Sequence, residues 1–186
     1  MDKFLIKKAR SHFYKTFLKR KNPFYPYLPR HVLEAEKWAE RILNLYPQAD
    51  KTVVLVSVWL HDIDQEVEKN GGDHAVASEK EARSFLSSLG VDFSIIESVA
   101  HCIRSHRNRD VEPKTLEAKI LAAADSASHF TDIVYAVHLA DGMKVYVEGK
   151  IERDFRDVSI FPELRKEIEP FYKAWKELIK IWPSKN

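Results

Sequence analysis

The sequence predicts an all-α fold, because apolar residues recur at intervals of three and four along most of its length. Residues at that spacing lie on one face of a helix, where they can pack against a core. Glycine, which weakens helices, makes up only 5 of the 186 residues, and charged residues reach 31%. A chain of this length can bury one core, so we expect a single compact helical domain over residues 1–186.

Composition and charge argue against several classes of protein. The formal net charge of +2 provides no bulk attraction to nucleic acid or to a membrane. The longest apolar run, residues 53–60, is too short to span a bilayer, and residues 1–8 lack the apolar stretch of a signal peptide. The single cysteine, Cys102, cannot form an internal disulfide, which is typical of a reducing compartment. We therefore expect a cytoplasmic protein that binds neither nucleic acid nor a membrane.

Two amphipathic helices are predicted before residue 46, and a proline-rich connector separates them. Residues 3–20 have a basic face and an apolar face, the latter made by Phe4, Leu5, Ala9, Phe13, Phe17 and Leu18. We interpret this segment as a packing helix with a solvated basic face; a helix on a membrane surface is the alternative. Three prolines prevent a regular helix within residues 22–29. The second helix is predicted from about Arg30 to Leu45, with His31 in its first turn.

The segment after Asp50 can be interpreted as a helix or a strand. Four β-branched valines between residues 53 and 58 favour a strand. Asp50 is, however, a good N-cap, and an isolated strand among helices would have no partner. We therefore predict a buried helix from about residue 51 to residue 63. The polar stretch 64–69 is expected to continue into solvent.

Aspartate N-caps and glycines define the next two helices. They are predicted over residues 74–89 and from 93 to about 107, and the signals are Gly71, Gly72, Asp73, Gly90 and Asp92.

The last third of the sequence is also predicted to be mostly helical. One helix begins at Thr115, helix is predicted to continue over about 129–141, and a last helix covers 162–181. Residues 143–148 lie between two glycines and are predicted as a helical turn or a short extended piece. The last helix has an aromatic stripe, which we expect to pack in the core or in a homodimer.

His61 and Asp62 close the apolar run and are the strongest functional signal in the sequence. A carboxylate after so much hydrophobic sequence is partly withdrawn from water, and it then needs a cation, a metal or hydrogen bonds. Asp125 lies in an alanine-rich segment and is equally hard to hydrate. His31 lies near the buried stripe of its helix. We therefore expect each of these side chains to contact a cation, a metal or a hydrogen-bonding group.

The order of these residues resembles the HD-domain superfamily of metal-dependent phosphohydrolases. That pattern is a histidine, then a His-Asp pair, then a distant aspartate, and here it is His31, His61-Asp62 and Asp125. The similarity extends from about His31 to Phe130, and residues 103–107 and 117–125 resemble the corresponding segments of small, stand-alone HD proteins. The resemblance implies a motif-bearing core over about 28–140, with residues 1–27 and 141–186 as helical extensions packed on it.

The resemblance also implies one divalent ion held by His31, His61, Asp62 and Asp125. Two imidazoles and two carboxylates suit Mn, Fe, Ni, Co, Zn or Mg, and Asp62 would also be catalytic. In some HD proteins, histidines matching His74 and His106 bind a second metal. Otherwise we expect these histidines to contact the substrate, together with Arg107.

Asp64 is a departure from the resemblance, because a common version of the family has glycine there. An extra carboxylate could orient water or protonate a leaving group, so we name Asp64 as a catalytic candidate. A solvated acid without a catalytic role is the alternative, and Glu66 is the other candidate of this kind.

The function implied is metal-dependent hydrolysis of a small phosphate ester, for example a nucleotide, by metal-activated water. The partner would be a small phosphorylated substrate. Two alternatives stay open. A di-iron HD oxygenase would use His74 and His106 as ligands, and a non-catalytic module would bind metal or nucleotide without turnover.

Overall fold

A computed structural model describes residues 2–20 and 25–183, which form nine α-helices and one 3-10 helix. This part of the chain contains no strand, so the all-α prediction is confirmed. The α-helices are α1 (Asp2–Leu18), α2 (Leu28–Leu45), α3 (Lys51–Leu60), α4 (His74–Ser88), α5 (Phe93–Ser105), α6 (Leu116–Thr131), α7 (Val134–Ala140), α8 (Lys144–Val158) and α9 (Pro162–Ile181), and the 3-10 helix is Gln65–Asn70.

The buried helix α3 lies between α1, α2, α5 and α6 and contacts all four. Every residue from Val53 to Leu60 is buried, which explains why this segment shows no polar face in the sequence. The carboxylate of Asp50 accepts hydrogen bonds from the backbone N–H groups of Thr52 and Val53 at 2.8 and 3.1 Å. The capped helix confirms the helical prediction over the strand. The α3 helix ends at Leu60, however, and residues 61–64 form a turn.

The N-terminal helix α1 covers α3 through aromatic contacts. The rings of Phe13 and Trp59 meet edge to face with centroids 5.6 Å apart, and the Arg10 guanidinium lies 4.4 Å from the centre of the Trp59 ring. The predicted apolar face is too wide, because Phe4 and Leu18 are 60% and 77% exposed. Predicted connector residues 22–24 lie outside the described part.

The alanine-rich helix α6 packs most extensively on α2 and also contacts α5 and α8. Ala122, Ala123 and Ala124 are fully buried. Because their side chains are short, neighbouring helix backbones can approach closely. This approach places Asp125 of α6 beside His31 of α2.

Two predictions for the C-terminal third hold only in part. The predicted helix over 129–141 is interrupted after Thr131, because the backbone of Asp132 is extended there; the Asp132 carboxylate accepts a hydrogen bond from the backbone N–H of Val134 at 2.7 Å. Residues 144–148 form the start of α8, which continues through Gly149, and Met143 is the N-cap residue of this helix. A Cβ at Gly149 would lie 3.1 Å from a guanidinium nitrogen of Arg153. Glycine at this position therefore gives the Arg153 side chain room to lie back along its own helix.

The contacts of α8 and α9 continue the helical packing. The α8 helix contacts α6, and α9 contacts both α6 and α8. In α9, Leu164, Ile168 and Ile179 are buried, whereas Phe171 is 44% exposed. The division into a core and two extensions, and a homodimer, stay predictions. In the described part, no helix combines the length and the apolar character needed to cross a membrane.

Two aspartates at N-cap positions give a matched test of capping in this fold. Asp92 occupies the predicted N-cap of α5, but its side chain makes no capping hydrogen bond. Asp50→Ala removes two capping hydrogen bonds, and we expect a loss of about 1 kcal/mol in the free energy of unfolding. Asp92→Ala removes the same charge and should cost less than about 0.5 kcal/mol. Urea denaturation measures both, and equal losses would contradict this account of α3.

Candidate metal centre

Five helices bring six acidic and imidazole side chains to one place. His31 comes from the first turns of α2, and Asp125 lies within α6. His61 and Asp62 follow the end of α3 directly. The other two are His74, at the start of α4, and His106, just after α5. All six side chains are buried. Five of them line a cleft of about 330 Å³, and His61 is fully buried outside this lining.

The first set of ligand atoms surrounds the ring nitrogen Nε2 of His31. This atom is 3.0 Å from Asp125 Oδ1, 3.4 Å from His61 Nε2 and 3.7 Å from Asp62 Oδ2. His61 Nε2 is 3.5 Å from the nearer oxygen of each carboxylate. The structure thus brings together the four residues for which the sequence predicted one common ion.

The second set surrounds the other oxygen of Asp62. Asp62 Oδ1 lies 3.3 Å from His74 Nε2 and 3.7 Å from His106 Nε2, and the two Nε2 atoms are 3.2 Å apart. Asp62 therefore presents one oxygen to each set. Asp62 Oδ1 is buried and makes no hydrogen bond with any described residue. Such an atom needs a positive partner.

Backbone carbonyls orient His61 and His106 in the same way. Each histidine is the C-cap residue of its helix. The ring Nδ1 of His61 is 2.8 Å from the carbonyl oxygen of Val58, and that of His106 is 2.6 Å from the carbonyl oxygen of Ile103. Because a carbonyl only accepts, Nδ1 must donate its proton. The lone pair is then on Nε2, which faces the carboxylates.

Carboxylates orient His31 and His74 through the same ring atom. Asp132 Oδ2 lies 3.1 Å from Nδ1 of His31, and the Glu68 carboxylate hydrogen-bonds with Nδ1 of His74. A carboxylate behind an imidazole fixes the ring and strengthens it as a metal ligand. Glu68 was expected in solvent as part of 64–69, but the 3-10 helix turns it back towards His74, and it is half-buried. Neither Glu68 nor Asp132 has a sequence motif that marks this role.

The buried groups carry charges that suit cation binding. Burial raises the pKa of Asp62, but the nearby imidazoles, His61 first, lower it well below its usual range. Burial and the neighbouring His61 lower the pKa of His106 to about 3, so this ring is neutral. Burial lowers the pKa of His31, but hydrogen bonds with Asp125 and Asp132 outweigh it and raise the pKa to about 10. The negative charge of these carboxylates therefore strongly favours a positive charge between them.

Asp64 and Arg107 occupy different positions relative to the cleft. Asp64 is half-buried, its backbone N–H donates to Ser78 Oγ at 3.1 Å, and its side chain is not among the groups that line the cleft. Arg107 does line the cleft, and its guanidinium pairs with Asp73 at the start of α4. Arg107 therefore belongs to the lining of the cleft, whereas the Asp64 side chain does not.

Comparison with known proteins shows to which family the chain belongs. The family model for the HD domain matches residues 30–128, more than half of the chain. The chain belongs to the HD-domain family. A crystal structure described as a predicted HD superfamily hydrolase from an uncultured Thermotogales bacterium shows the same fold, with a TM-score of 0.56. The alignment has 21% identity and covers 93% of this chain and 92% of the other. No curated protein matches the sequence.

HD domains bind divalent metal ions, and the residues of this HD domain fit such an ion. His31, His61 and Asp62 each offer a ligand atom within 4.8 Å of the others, and so do Asp62, His74 and His106. Nitrogen and carboxylate ligands suit Mn, Fe, Co, Ni or Zn. Asp62 Oδ1 has no hydrogen-bond partner among the described residues, and this suits the binding of a second ion in addition to the first.

Metal content tests whether Asp62 serves both sets. We expect two divalent ions per chain in the unaltered protein, one ion in His106→Ala and at most one, more weakly held ion in Asp62→Ala. Among the described residues, Asp62 alone contributes an oxygen to each set, whereas His106 belongs to one. Elemental analysis after gel filtration in Mn²⁺ measures the ratio of metal to protein. Two ions retained by Asp62→Ala would contradict the shared role.

Proposed function

We propose that this HD domain is a metal-dependent phosphohydrolase that cleaves a small phosphate ester. The observation that carries the proposal is that one cleft is lined by residues of both ligand sets and by four cationic side chains, Arg107, Arg109, Lys150 and Arg153. A phosphate ester needs a Lewis acid at one oxygen and donors for the others. A di-iron oxygenase would use the same six ligands but has no need of this concentration of cations.

The cationic groups differ in how firmly they are held. Lys150 Nζ lies 3.3 Å from the Asp154 carboxylate, and the lysine is largely buried. The Nε of Arg107 is buried and makes no hydrogen bond with a described residue. The Arg153 guanidinium lies 5.9 Å from the centre of the Tyr146 ring at the cleft wall. These groups can bind phosphate oxygens and hold the ester with its phosphorus beside the carboxylate cluster.

The residues of the cluster would hold the ions in place during hydrolysis. A bound divalent cation supplies acidified water and withdraws charge from a phosphoryl oxygen. In hydrolysis the oxygen of water bonds to phosphorus, the ester P–O bond breaks, and the leaving oxygen takes up a proton. Hydrogen bonds at Nδ1 keep the imidazoles in one orientation, so the ligand atoms require little rearrangement when an ion binds. Asp64 has no part in this scheme, because its side chain lies outside the cleft lining.

Replacing Asp62 tests the proposed activity. The protein loaded with Mn²⁺, Co²⁺ or Ni²⁺ should release phosphate from p-nitrophenyl phosphate or from a member of a nucleotide panel. Asp62→Ala should lower kcat/KM by at least about 1,000-fold, because it removes a ligand from both sets, equivalent to about 4 kcal/mol. Asp64→Asn, which removes the adjacent carboxylate, should retain most of the activity. The rate of phosphate release gives kcat/KM for all three proteins.

Different outcomes would support different functions. Turnover that survives Asp62→Ala would exclude the metal centre as the catalytic site. Oxygen consumption with two Fe ions per chain and a mixed-valence signal would support an oxygenase. Tight nucleotide binding without turnover in any metal would support a binding module.

Arg153 offers a test of the cationic wall that leaves the metal ligands intact. Arg153→Gln should raise KM for the phosphate ester about tenfold with little change in kcat, because a hydrogen bond to a charged group contributes about 1.5–3 kcal/mol. Arg165→Gln removes the same charge from an exposed position on α9 and should leave KM unchanged. Steady-state kinetics separate the two, and equal KM values in both variants would exclude Arg153 from substrate binding.

A further inference from the structure

His129 lies one helical turn after Asp125 on α6 and faces the same carboxylate. Its Nε2 is 3.7 Å from Asp125 Oδ1. Its ring stacks on that of His31 with centroids 5.0 Å apart and planes 10° from parallel. His129 is buried and lines the cleft. The sequence interpretation assigned it no role, because a histidine four residues after the aspartate has no place in the pattern that identified the site.

Asp154 fixes the ring of His129. Asp154 Oδ2 lies 3.0 Å from His129 Nδ1, and the same oxygen accepts a hydrogen bond from the Tyr135 hydroxyl at 2.6 Å. Lys150 Nζ lies 3.3 Å from this oxygen. Because an ionised carboxylate only accepts, Nδ1 carries the proton and the lone pair of His129 is on Nε2. Nε2 makes no hydrogen bond with a described residue.

His129 therefore shares the arrangement of the four histidines already described. In each, Nδ1 is held by an oxygen acceptor and Nε2 faces a carboxylate of the cluster. Ligand atoms of His31, Asp125 and His129 all lie within 4.8 Å of one another. His31 Nε2 belongs to this set and also to the set with His61 and Asp62. One lone pair binds one ion, so both sets describe a single ion.

We propose that His129 is a further ligand of the ion bound by His31, with Asp154 as its positioning residue. This ion then has three imidazole ligands, His31, His61 and His129, and two carboxylate ligands, Asp62 and Asp125. The other ion has three protein ligands, His74, His106 and Asp62. The first ion is bound more tightly, and the second keeps more positions open for water and substrate. Three imidazoles select a transition ion over Mg²⁺ at the first position.

Metal titration of the full chain tests this assignment without an activity measurement. Protein stripped with a chelator is titrated with Zn²⁺ by calorimetry, and the unaltered chain should show a tight and a weaker site. His129→Ala should weaken the tight site at least tenfold and leave the weaker one. Asp154→Asn should weaken the same site, within the tenfold to 100-fold loss typical of groups that orient a metal ligand.

His138→Ala is the matched control for His129. His138 is also buried and lines the cleft, and its ring packs edge-on against Tyr146 with centroids 5.1 Å apart. Unlike His129, it belongs to no set of possible ligand atoms among the described residues. Its replacement should leave both affinities unchanged. Equal Zn²⁺ affinities in His129→Ala, His138→Ala and the unaltered protein would overturn the assignment.

X-ray absorption at the zinc edge counts the imidazoles without any substitution. With one equivalent of Zn²⁺ we expect three imidazoles at the metal, and a count of two would overturn the assignment. This measurement decides the question even if His129→Ala does not fold. It is also independent of phosphatase activity, so an inactive protein with three imidazoles at zinc would reject the proposed function and retain the ligand.

Discussion

Two carboxylates buried among imidazoles are the constraint on which the rest of this structure depends. Asp62 and Asp125 lie in surroundings that leave them little contact with water, and an unpaired charge there would cost several kcal/mol. Histidines from five helices offer nitrogen atoms towards these carboxylates, and the acceptors behind the rings keep them in that orientation. A divalent cation satisfies both the carboxylates and the nitrogen lone pairs, so the arrangement favours metal binding over packing alone.

The helices contribute to this centre through their ends and through small residues. His61 and His106 follow helix ends, where a ring Nδ1 can donate to a carbonyl of the preceding turn. The row of buried alanines in α6 allows Asp125 to approach α2. The C-terminal helices add a second layer outside the residues matched by the HD-domain model. Asp154 of α8 supports His129, and Lys150 and Arg153 of the same helix supply cations to the cleft wall.

Several features of the site were missed in the sequence for one physical reason. Glu68 and Asp154 act through contacts with His74 and His129, which lie in other helices, and no spacing within a helix reveals those contacts. His129 lies one turn after Asp125, but its contact with His31 of α2 is visible only in the folded chain. Glu68 looks like a solvated acid until the 3-10 helix turns its carboxylate towards His74. In the sequence, Gly149 looks like a helix end. Only the tertiary structure shows that the Arg153 side chain lies close to where a Cβ at Gly149 would be.

The sequence by itself determined the helical class and the cap of α3, and its resemblance to the HD-domain superfamily implied the His and Asp residues of the first ligand set. The class and the cap follow from local rules, namely periodicity and hydrogen bonding at helix starts, and the need of Asp62 for a partner follows from the cost of placing a carboxylate after an apolar run. Only the tertiary structure decided that Asp62 divides its two oxygens between two sets of histidines, that His129 joins the cluster, and that Asp64 lies apart from the cleft. Those outcomes depend on the directions in which packed helices point their side chains, and packing sets these directions over distances that local sequence does not encode.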